Sequence, residues 1–343
     1  MSVPPRVGER PVRAPAWDTT EPGRPGQSAL VTVGVLLLVP ALVLTLLRVF
    51  PPLDDAPALV AAFVPAAVPL LVVGLVCLAT ALLRARRRAA LGGLVALVAL
   101  LLGAQLAWQL PFYVANGRQV TEPAFTLLTL NTLQGRADPD QLRAAAERAD
   151  VVVLVETLPA VVAELDRRGW RDRFPHDAGR LSTTVTNTIV FSRYPLRDSQ
   201  RFGTSQFHQW ATTVVVPGIG DIRLLAVHPC NPYCGQNRWA SDHAELRRVV
   251  QQHRSLPLVV AGDLNAVPDH GPMQDLRRLG LRSAADLVGA GWAPTYPANR
   301  LVPPLLTIDH VLLDDRLAAG SLERVRVTGT DHLGVLVRLG RAG

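Results

Sequence analysis

The chain has 343 residues, 49% of them hydrophobic, with 35 basic residues, all arginine, against 28 acids. That length accommodates a membrane region and one globular domain of roughly 200 residues. Ten arginines and five acids fall in residues 1–120, against twenty-five and twenty-three in residues 121–343, so the basic excess gathers around the apolar part and gives no ground for inferring DNA binding.

Residues 1–27, rich in Pro, Gly and Arg without apolar periodicity, are expected to form a disordered cytoplasmic arm. Three apolar runs follow, at about 28–50, 57–83 and 89–114, within a membrane region taken as 28–120. The first covers roughly 33 Å as a helix, enough for a bilayer core and too long for a signal peptide. Pro65 and Pro69 are expected to kink the second; Trp108, Phe112 and Tyr113 close the third at an interface. Four arginines in the arm and four in Arg84-Ala85-Arg86-Arg87-Arg88, against Asp54 and Asp55 between the first two runs, place the arm and the arginine loop in the cytoplasm. Three spans then put residues 121–343 outside the cell, on a multi-pass plasma-membrane protein. Transport through the spans has little support, since Gln105 is their main polar exception.

Cys77 falls in a span and reads as a small packed apolar residue. Cys230 and Cys234, in His228-Pro229-Cys230-Asn231-Pro232-Tyr233-Cys234, suit a local disulfide of an oxidising compartment; a metal site is the alternative, though further cysteine partners are missing. The soluble region alternates strands and helices. Strands are expected at 125–131, 151–155, 188–191, 212–216, 222–227, 258–261, 308–313, 322–328 and 334–338, and helices at 139–148, 159–168, 238–253 and 273–279.

The candidate site residues recur at one kind of position. Asn131, Glu156, His228, Asp263 with Asn265, Asp309, and Asp331 with His332 sit at or just past the end of an apolar strand, where sites assemble. Around Gly262-Asp263-Leu264-Asn265, alternation is expected to point the carboxylate and the carboxamide to one face, where they can hold a water and a phosphoryl oxygen together.

Leu128-Thr129-Leu130-Asn131, Val153-Leu154-Val155-Glu156, Ile189-Val190-Phe191-Ser192-Arg193-Tyr194-Pro195, Val227-His228, Gly262-Asp263-Leu264-Asn265, Ile308-Asp309-His310-Val311 and Thr330-Asp331-His332-Leu333 occur in an order that resembles the endonuclease/exonuclease/phosphatase family, the DNase I-like metal-dependent phosphoesterases. The resemblance covers essentially all of residues 124–340. It implies an α/β four-layer sandwich with two packed mixed sheets. It also implies a metal site at Asn131, Glu156 and Asp331, an oxygen donor set suited to Mg²⁺ (magnesium) or Mn²⁺. Asp263 and Asn265 would orient and activate the attacking water, His332 would act as base or phosphate stabiliser with Asp309 fixing its ring, and His228 would contact phosphate or serve as leaving-group acid. Asn187 is a further expected phosphate contact. The loop from Cys230 to Trp239, with Arg238, is the expected element of substrate selection. His310 is expected to point away from the site and pack.

The function implied is hydrolysis of a phosphodiester or phosphomonoester by direct attack of water, the substrate being nucleic acid, phospholipid or a small organophosphate. The alternative is a catalytically silent membrane receptor or scaffold that retains the fold. The lipid bilayer is the other partner implied; the sequence does not identify a protein partner.

Overall fold

The computed structural model describes residues 25–85, 89–183 and 187–343. Most of the expected arm and the triplet Arg86-Arg87-Arg88 lie outside the described residues. Four helices come first: α1 (Pro25–Val49), α2 (Asp55–Ala61), α3 (Ala67–Arg84) and α4 (Ala89–Tyr113). Three segments, Gly26–Val49, Val64–Arg84 and Ala89–Tyr113, are long and apolar enough to cross a membrane. They pack on one another through Ala41, Leu44, Leu71, Leu78 and Val98 while leaving Leu36, Val76 and Leu100 exposed. The one deeply buried polar contact between them joins Gln105 Nε2 to Thr45 Oγ1 at 3.0 Å among the described residues.

The apolar run at 57–83 is not one kinked helix. Its first part forms the separate helix α2, the chain turns through a short 3₁₀ segment at Val64–Ala66, and α3 starts at Ala67. Proline explains the break, because Pro65 has no N–H to continue the helix and disfavours helical backbone in the residue before it.

The remaining elements are β1 (Val120–Asn131), α5 (Pro139–Ala146), β2 (Val151–Thr157), α6 (Pro159–Arg167), α7 (Trp170–Arg173), β3 (His176–Ala178), β4 (Asn187–Ser192), β5 (Leu196–Phe202), β6 (Gln209–Val216), β7 (Gly220–Val227), α8 (Arg238–Gln252), β8 (Leu258–Asp263), α9 (Gly271–Arg278), β9 (Arg282–Ser283), α10 (Ala284–Val288), β10 (Asp309–Leu313), β11 (Leu317–Arg326) and β12 (Leu333–Ala342). They build two six-stranded sheets, ordered β11-β12-β1-β2-β4-β3 and β5-β6-β7-β8-β10-β9. Both are mixed, because β1 pairs β2 and β7 pairs β8 in parallel while their other pairings are antiparallel.

Val151–Val155 shows how the layers arise. Val151, Val153 and Val155 pack between the sheets with Ile222, Leu224, Val259 and Val311, whereas Val152 and Leu154 face α5, α6 and α7 through Leu142, Leu165, Trp170 and Phe174. A strand covered on both faces has no polar face to display, so it reads as an unbroken apolar run. On the far side, Leu225, Val227 and Val260 meet Trp239, Leu246 and Val250 of α8 and Met273 and Leu276 of α9. The result is the expected four-layer sandwich.

This sandwich is seated on one end of the apolar helices. Arg48 in the last turn of α1 pairs with Asp269 at 2.7 Å, the Gly291 N–H donates to Phe112 O at 2.7 Å, and the Gly117 N–H donates to Leu287 O at 3.0 Å. Arg84, at the end of α3, lies at the opposite end of the bundle, about 27 Å away along a helix of that length.

Candidate active site

Strand direction assembles the site. β1, β2, β7 and β8 deliver Asn131, Glu156, His228 and Asp263 at or just beyond their C-terminal ends. Asp309, Asp331 and His332 arrive differently from the expectation. Asp309 opens β10 directly opposite Asp263, and Asp331 and His332 precede β12, which runs antiparallel to β1. Antiparallel pairing brings the beginnings of these strands to the edge where the others end.

Two site residues sit where the backbone leaves the sheet in a left-handed conformation. Glu156 has φ 55°, inside an irregularity of the β2–β4 pairing between Leu154 and Thr157, and Asn265 has φ 48°. Such backbone is uncommon for residues other than glycine and marks a constrained position. For Asn265 this replaces the expected strand alternation. β8 ends at Asp263, Leu264 is fully buried, and a turn closed by the Asn265 N–H donating to Asp263 Oδ1 at 2.9 Å returns residue 265 to the site. Gly262 has no substitute here: its φ is +149°, and a Cβ would stand 2.0 Å from Val227 O on the neighbouring parallel strand.

The side chains form one connected group. Asn131 Nδ2 donates to Glu156 Oε1 at 3.1 Å and to Asp263 Oδ2 at 3.0 Å, while its own Oδ1 accepts the Leu133 N–H. Glu156 Oε2 accepts the Gln134 N–H at 3.1 Å. His332 Nδ1 donates to Asp309 Oδ2 at 2.8 Å, and its Nε2 stands 3.8 Å from both Asp263 Oδ2 and Asp331 Oδ1. His228 Nε2 lies 3.8 Å from Glu156 Oε1 and 3.9 Å from Asp263 Oδ2, with its ring stacked on Phe207 at 4.5 Å.

The two histidines are driven apart electrostatically. Burial favours the neutral ring in both. At His228 burial wins, over the opposing charge of Asp263, and the pKa falls to about 4. At His332 the carboxylates of Asp309, Asp263 and Asp331 overcome burial and raise the pKa to about 10. Burial, then the adjacent Asp309, pushes the Asp263 carboxyl up.

The donor set fits a divalent cation. Glu156, Asp263 and Asp331 share the cavity wall without an arginine among its described lining residues, and Oδ1 of both Asp309 and Asp331 is buried without a hydrogen-bond partner. Asp263, Asp309 and His332 present ligand atoms within 4.8 Å of one another. Clustered carboxylates with vacant lone pairs match the oxygen coordination of hard cations.

A cavity of about 290 Å³ opens onto Glu156, Asp263, Asn265, Asp331 and His332. Asn187 is not part of it. Its carboxamide donates to Thr157 O and Ser182 O and accepts the Ser182 N–H, which uses both ends of the group on backbone. Arg238 faces a different hollow beside Gln206 and Asp242, with its guanidinium on Gln206 and Gln236. The loop it belongs to does reach the cavity, through Asn231, Pro232 and Tyr233, and carries a Cys230–Cys234 disulfide. His310 points away as expected and bonds Ala266 O at 2.9 Å. Tyr296, whose ring centroid lies 4.9 Å from that of His332, and Leu59, Ala62 and Phe63 from the connection between α1 and α3 also line the cavity and were not anticipated. A lone tyrosine in a loop and apolar residues beside a span carry no sequence signal of such a role.

A profile described as the Endonuclease/Exonuclease/phosphatase family matches residues 128–332, from β1 to His332. The chain belongs to the endonuclease/exonuclease/phosphatase family. Its sandwich is similar to an endonuclease/exonuclease/phosphatase from Beutenbergia cavernae (23% identity, TM-score 0.50, covering 64% of this chain and 72% of that one). It is also similar to a humanized D. rerio TDP2 (16%, TM-score 0.51, 63% and 99%) and to the catalytic domain of human Nocturnin (16%, TM-score 0.50, 67% and 99%). No curated protein matches the chain. Members of this family are hydrolases of phosphoester bonds and depend on divalent metals, and this chain is an enzyme of that class.

Proposed function

We propose that the protein is a membrane-anchored phosphoesterase that uses Mg²⁺ or Mn²⁺ and cleaves a phosphodiester or phosphomonoester by direct attack of water. The observation that carries this reading is the convergence of Glu156, Asp263, Asn265, Asp331 and His332 on one cavity, with Asn131 bonded to Glu156 and Asp263 behind them and unsatisfied carboxylate oxygens beside it. A receptor that merely keeps the fold has no need of such a costly arrangement.

In this reading Glu156, Asn131 and Asp331 hold the cation. When bound, the cation polarises the phosphoryl group and offsets its negative charge. Asp263, pinned by Asn131 and by the Asn265 N–H, orients the attacking water and accepts its proton. Asn265 donates one amide N–H to Pro229 O at 3.0 Å, which fixes the carboxamide so that its carbonyl oxygen and second N–H can hold that water or a phosphoryl oxygen. His332, fixed by Asp309, presents Nε2 to a phosphoryl oxygen, and His228, whose Nε2 lies beside Glu156 and Asp263, is the further phosphate contact. Water adds to phosphorus, the P–O bond to the leaving group breaks, and the departing alcohol takes up a proton.

The three apolar helices support membrane association. Arg84 and the first turn of α1 lie at the end of the bundle away from the catalytic sandwich, which supports a cytoplasmic N-terminus and an extracellular catalytic domain. The test is hydrolysis by the purified full chain of single- and double-stranded DNA, RNA, sphingomyelin, inositol phosphates and a chromogenic diester, with Mg²⁺, Mn²⁺ or EDTA. Turnover that needs metal and is absent from Glu156→Gln and His332→Ala supports the reading. A folded, metal-binding chain inert on the whole panel moves the weight to the receptor alternative.

A further inference from the structure

The catalytic cavity is not walled by the sandwich alone. Residues 50–66, which join the first two apolar helices, leave the bundle and lay Leu59, Ala62 and Phe63 along it. Their counterparts on the sandwich are Val267, Leu306 and Ile308, so an apolar slot faces the carboxylates. Phe63 remains 49% exposed and Tyr233 79%, large rings held in solvent at the rim of a site.

The placement is built rather than incidental. Ala58 is fully buried in the apolar cluster under α8 and α9, and its carbonyl accepts a bond from His270 Nε2 at 2.9 Å. The Asn237 N–H donates to Asp55 Oδ2 at 3.2 Å, and the ion pair of Arg48 with buried Asp269 holds the end of α1 where the connection begins. A second feature lies on the same side. The turn Leu301-Val302-Pro303-Pro304-Leu305-Leu306 exposes Leu301, Val302 and Leu305 and is closed by a bridge between Tyr296 and Leu306, which both line the cavity. Leu305 shares a neighbouring hollow with Ala62, Phe112 and Tyr113 at the end of α4. The apolar slot therefore opens where the spans leave the bilayer.

The aliphatic part of this wall, Leu59, Ala62, Val267, Leu306 and Ile308, gives little to a sugar phosphate or to the ribose and phosphates of a nucleotide, which are polar; it favours a substituent that gains by leaving water. We infer that the site takes a phosphoester bearing a long apolar chain, presented from the bilayer surface, and that Leu59, Ala62 and Phe63 select that chain. The inference rests on the phosphoesterase reading above and adds its substrate class and its selecting segment. Water attacks phosphorus as before, leaving the apolar chain on the phosphate or on the released alcohol.

The test uses the full chain in a fixed concentration of one detergent, with Mg²⁺, on ethyl, dodecyl and farnesyl esters of 4-nitrophenyl phosphate, which share one leaving group. Wild-type kcat/KM rises by about tenfold or more from ethyl to a long chain; the dodecyl and farnesyl arms tell an acyl-like chain from an isoprenoid one. In Phe63→Ser and in Leu59→Ser the ratio of long-chain to ethyl activity collapses toward one, with thermal midpoints confirming that each chain is folded. A wild-type enzyme indifferent to chain length overturns the substrate class. A preference that survives both substitutions overturns the role of the wall. Absence of metal-dependent hydrolysis of every ester, beside turnover of the nucleic acids or inositol phosphates of the panel above, overturns this inference alone; absence of hydrolysis of both the esters and the whole panel fails the phosphoesterase reading, and this inference with it.

Discussion

Asp309 Oδ2 accepts the Nδ1 proton of His332 at 2.8 Å, a bond across 23 residues that aims Nε2 of the same ring at Asp263 and Asp331. Asp309 itself lies behind the histidine, outside the residues that line the cavity. It is therefore a positioning residue. Asp309→Asn is expected to lower kcat about 100-fold with little change in KM, and Asp309→Glu to restore part of it. Steady-state kinetics on any hydrolysed substrate checks this; a rise in KM at constant kcat would place Asp309 in binding instead.

Glu156 accepts one hydrogen bond on each carboxylate oxygen, from Asn131 and from the Gln134 backbone. Glutamine keeps the shape and removes the charge. In Glu156→Gln the affinity for Mn²⁺, read by titration calorimetry on the full chain, is expected to weaken about 10- to 100-fold or more. EDTA is expected to abolish wild-type activity, and added Mg²⁺ to restore it. Unchanged Mn²⁺ binding in the variant would remove Glu156 from the metal site.

Gly262 tests the backbone of the site without touching its chemistry. Alanine there requires φ near +149° and a Cβ inside the Val227 carbonyl. Gly262→Ala is expected to cost about 3 kcal/mol, seen as a lower thermal midpoint and poor accumulation of folded chain. An unaltered melt would mean that β7 and β8 can separate freely.

His270 links pH to the wall of the cavity. Its Nδ1 accepts the Val267 N–H and its Nε2 donates to Ala58 O, so the bound ring is neutral. Burial lowers its pKa from 6.5 to about 4. His243 faces it across Trp239 and His310 is another neighbour, while the Asp269 carboxylate beside it is paired with Arg48. With the folded pKa depressed, the opened form binds the proton first. The contribution of His270 is complete above about pH 6.5 and is lost as pH falls toward 4. Limited proteolysis of the full chain is expected to cut residues 50–66 increasingly over that window, and His270→Gln to flatten the dependence. Cutting that ignores pH would detach His270 from the docking of this segment.

Much of the fold was legible because burial leaves a direct trace in side-chain type. Val151–Val155 and Leu258–Ala261 read as buried strands, and their observed counterparts, Val151–Thr157 and Leu258–Asp263, begin at the same residues. Elements without a contrasting pattern escaped: β3, β5, β9, α7 and α10 are short or, like Leu196–Phe202, mostly exposed and polar. Among the site candidates, polar residues at strand boundaries named most of the side chains that the fold brings together. Nothing local separated Asn131, which bonds Glu156 and Asp263, from Asn187, whose amide is occupied by backbone.

The sequence by itself determined the apolar helices, most of the buried strands and the kinds of group at the site, because hydropathy and residue chemistry are properties of each segment alone; the sandwich was implied by the resemblance of the motif order to the family. Tertiary structure decided which groups meet. Antiparallel return brought the starts of β10 and β12 to the ends of β1 and β8, a left-handed turn rather than alternation placed Asn265, and the break at Pro65 freed residues 50–66 to cross onto the sandwich. Those relations depend on distances between segments remote in the chain. No local pattern encodes them; they exist only once the layers have packed.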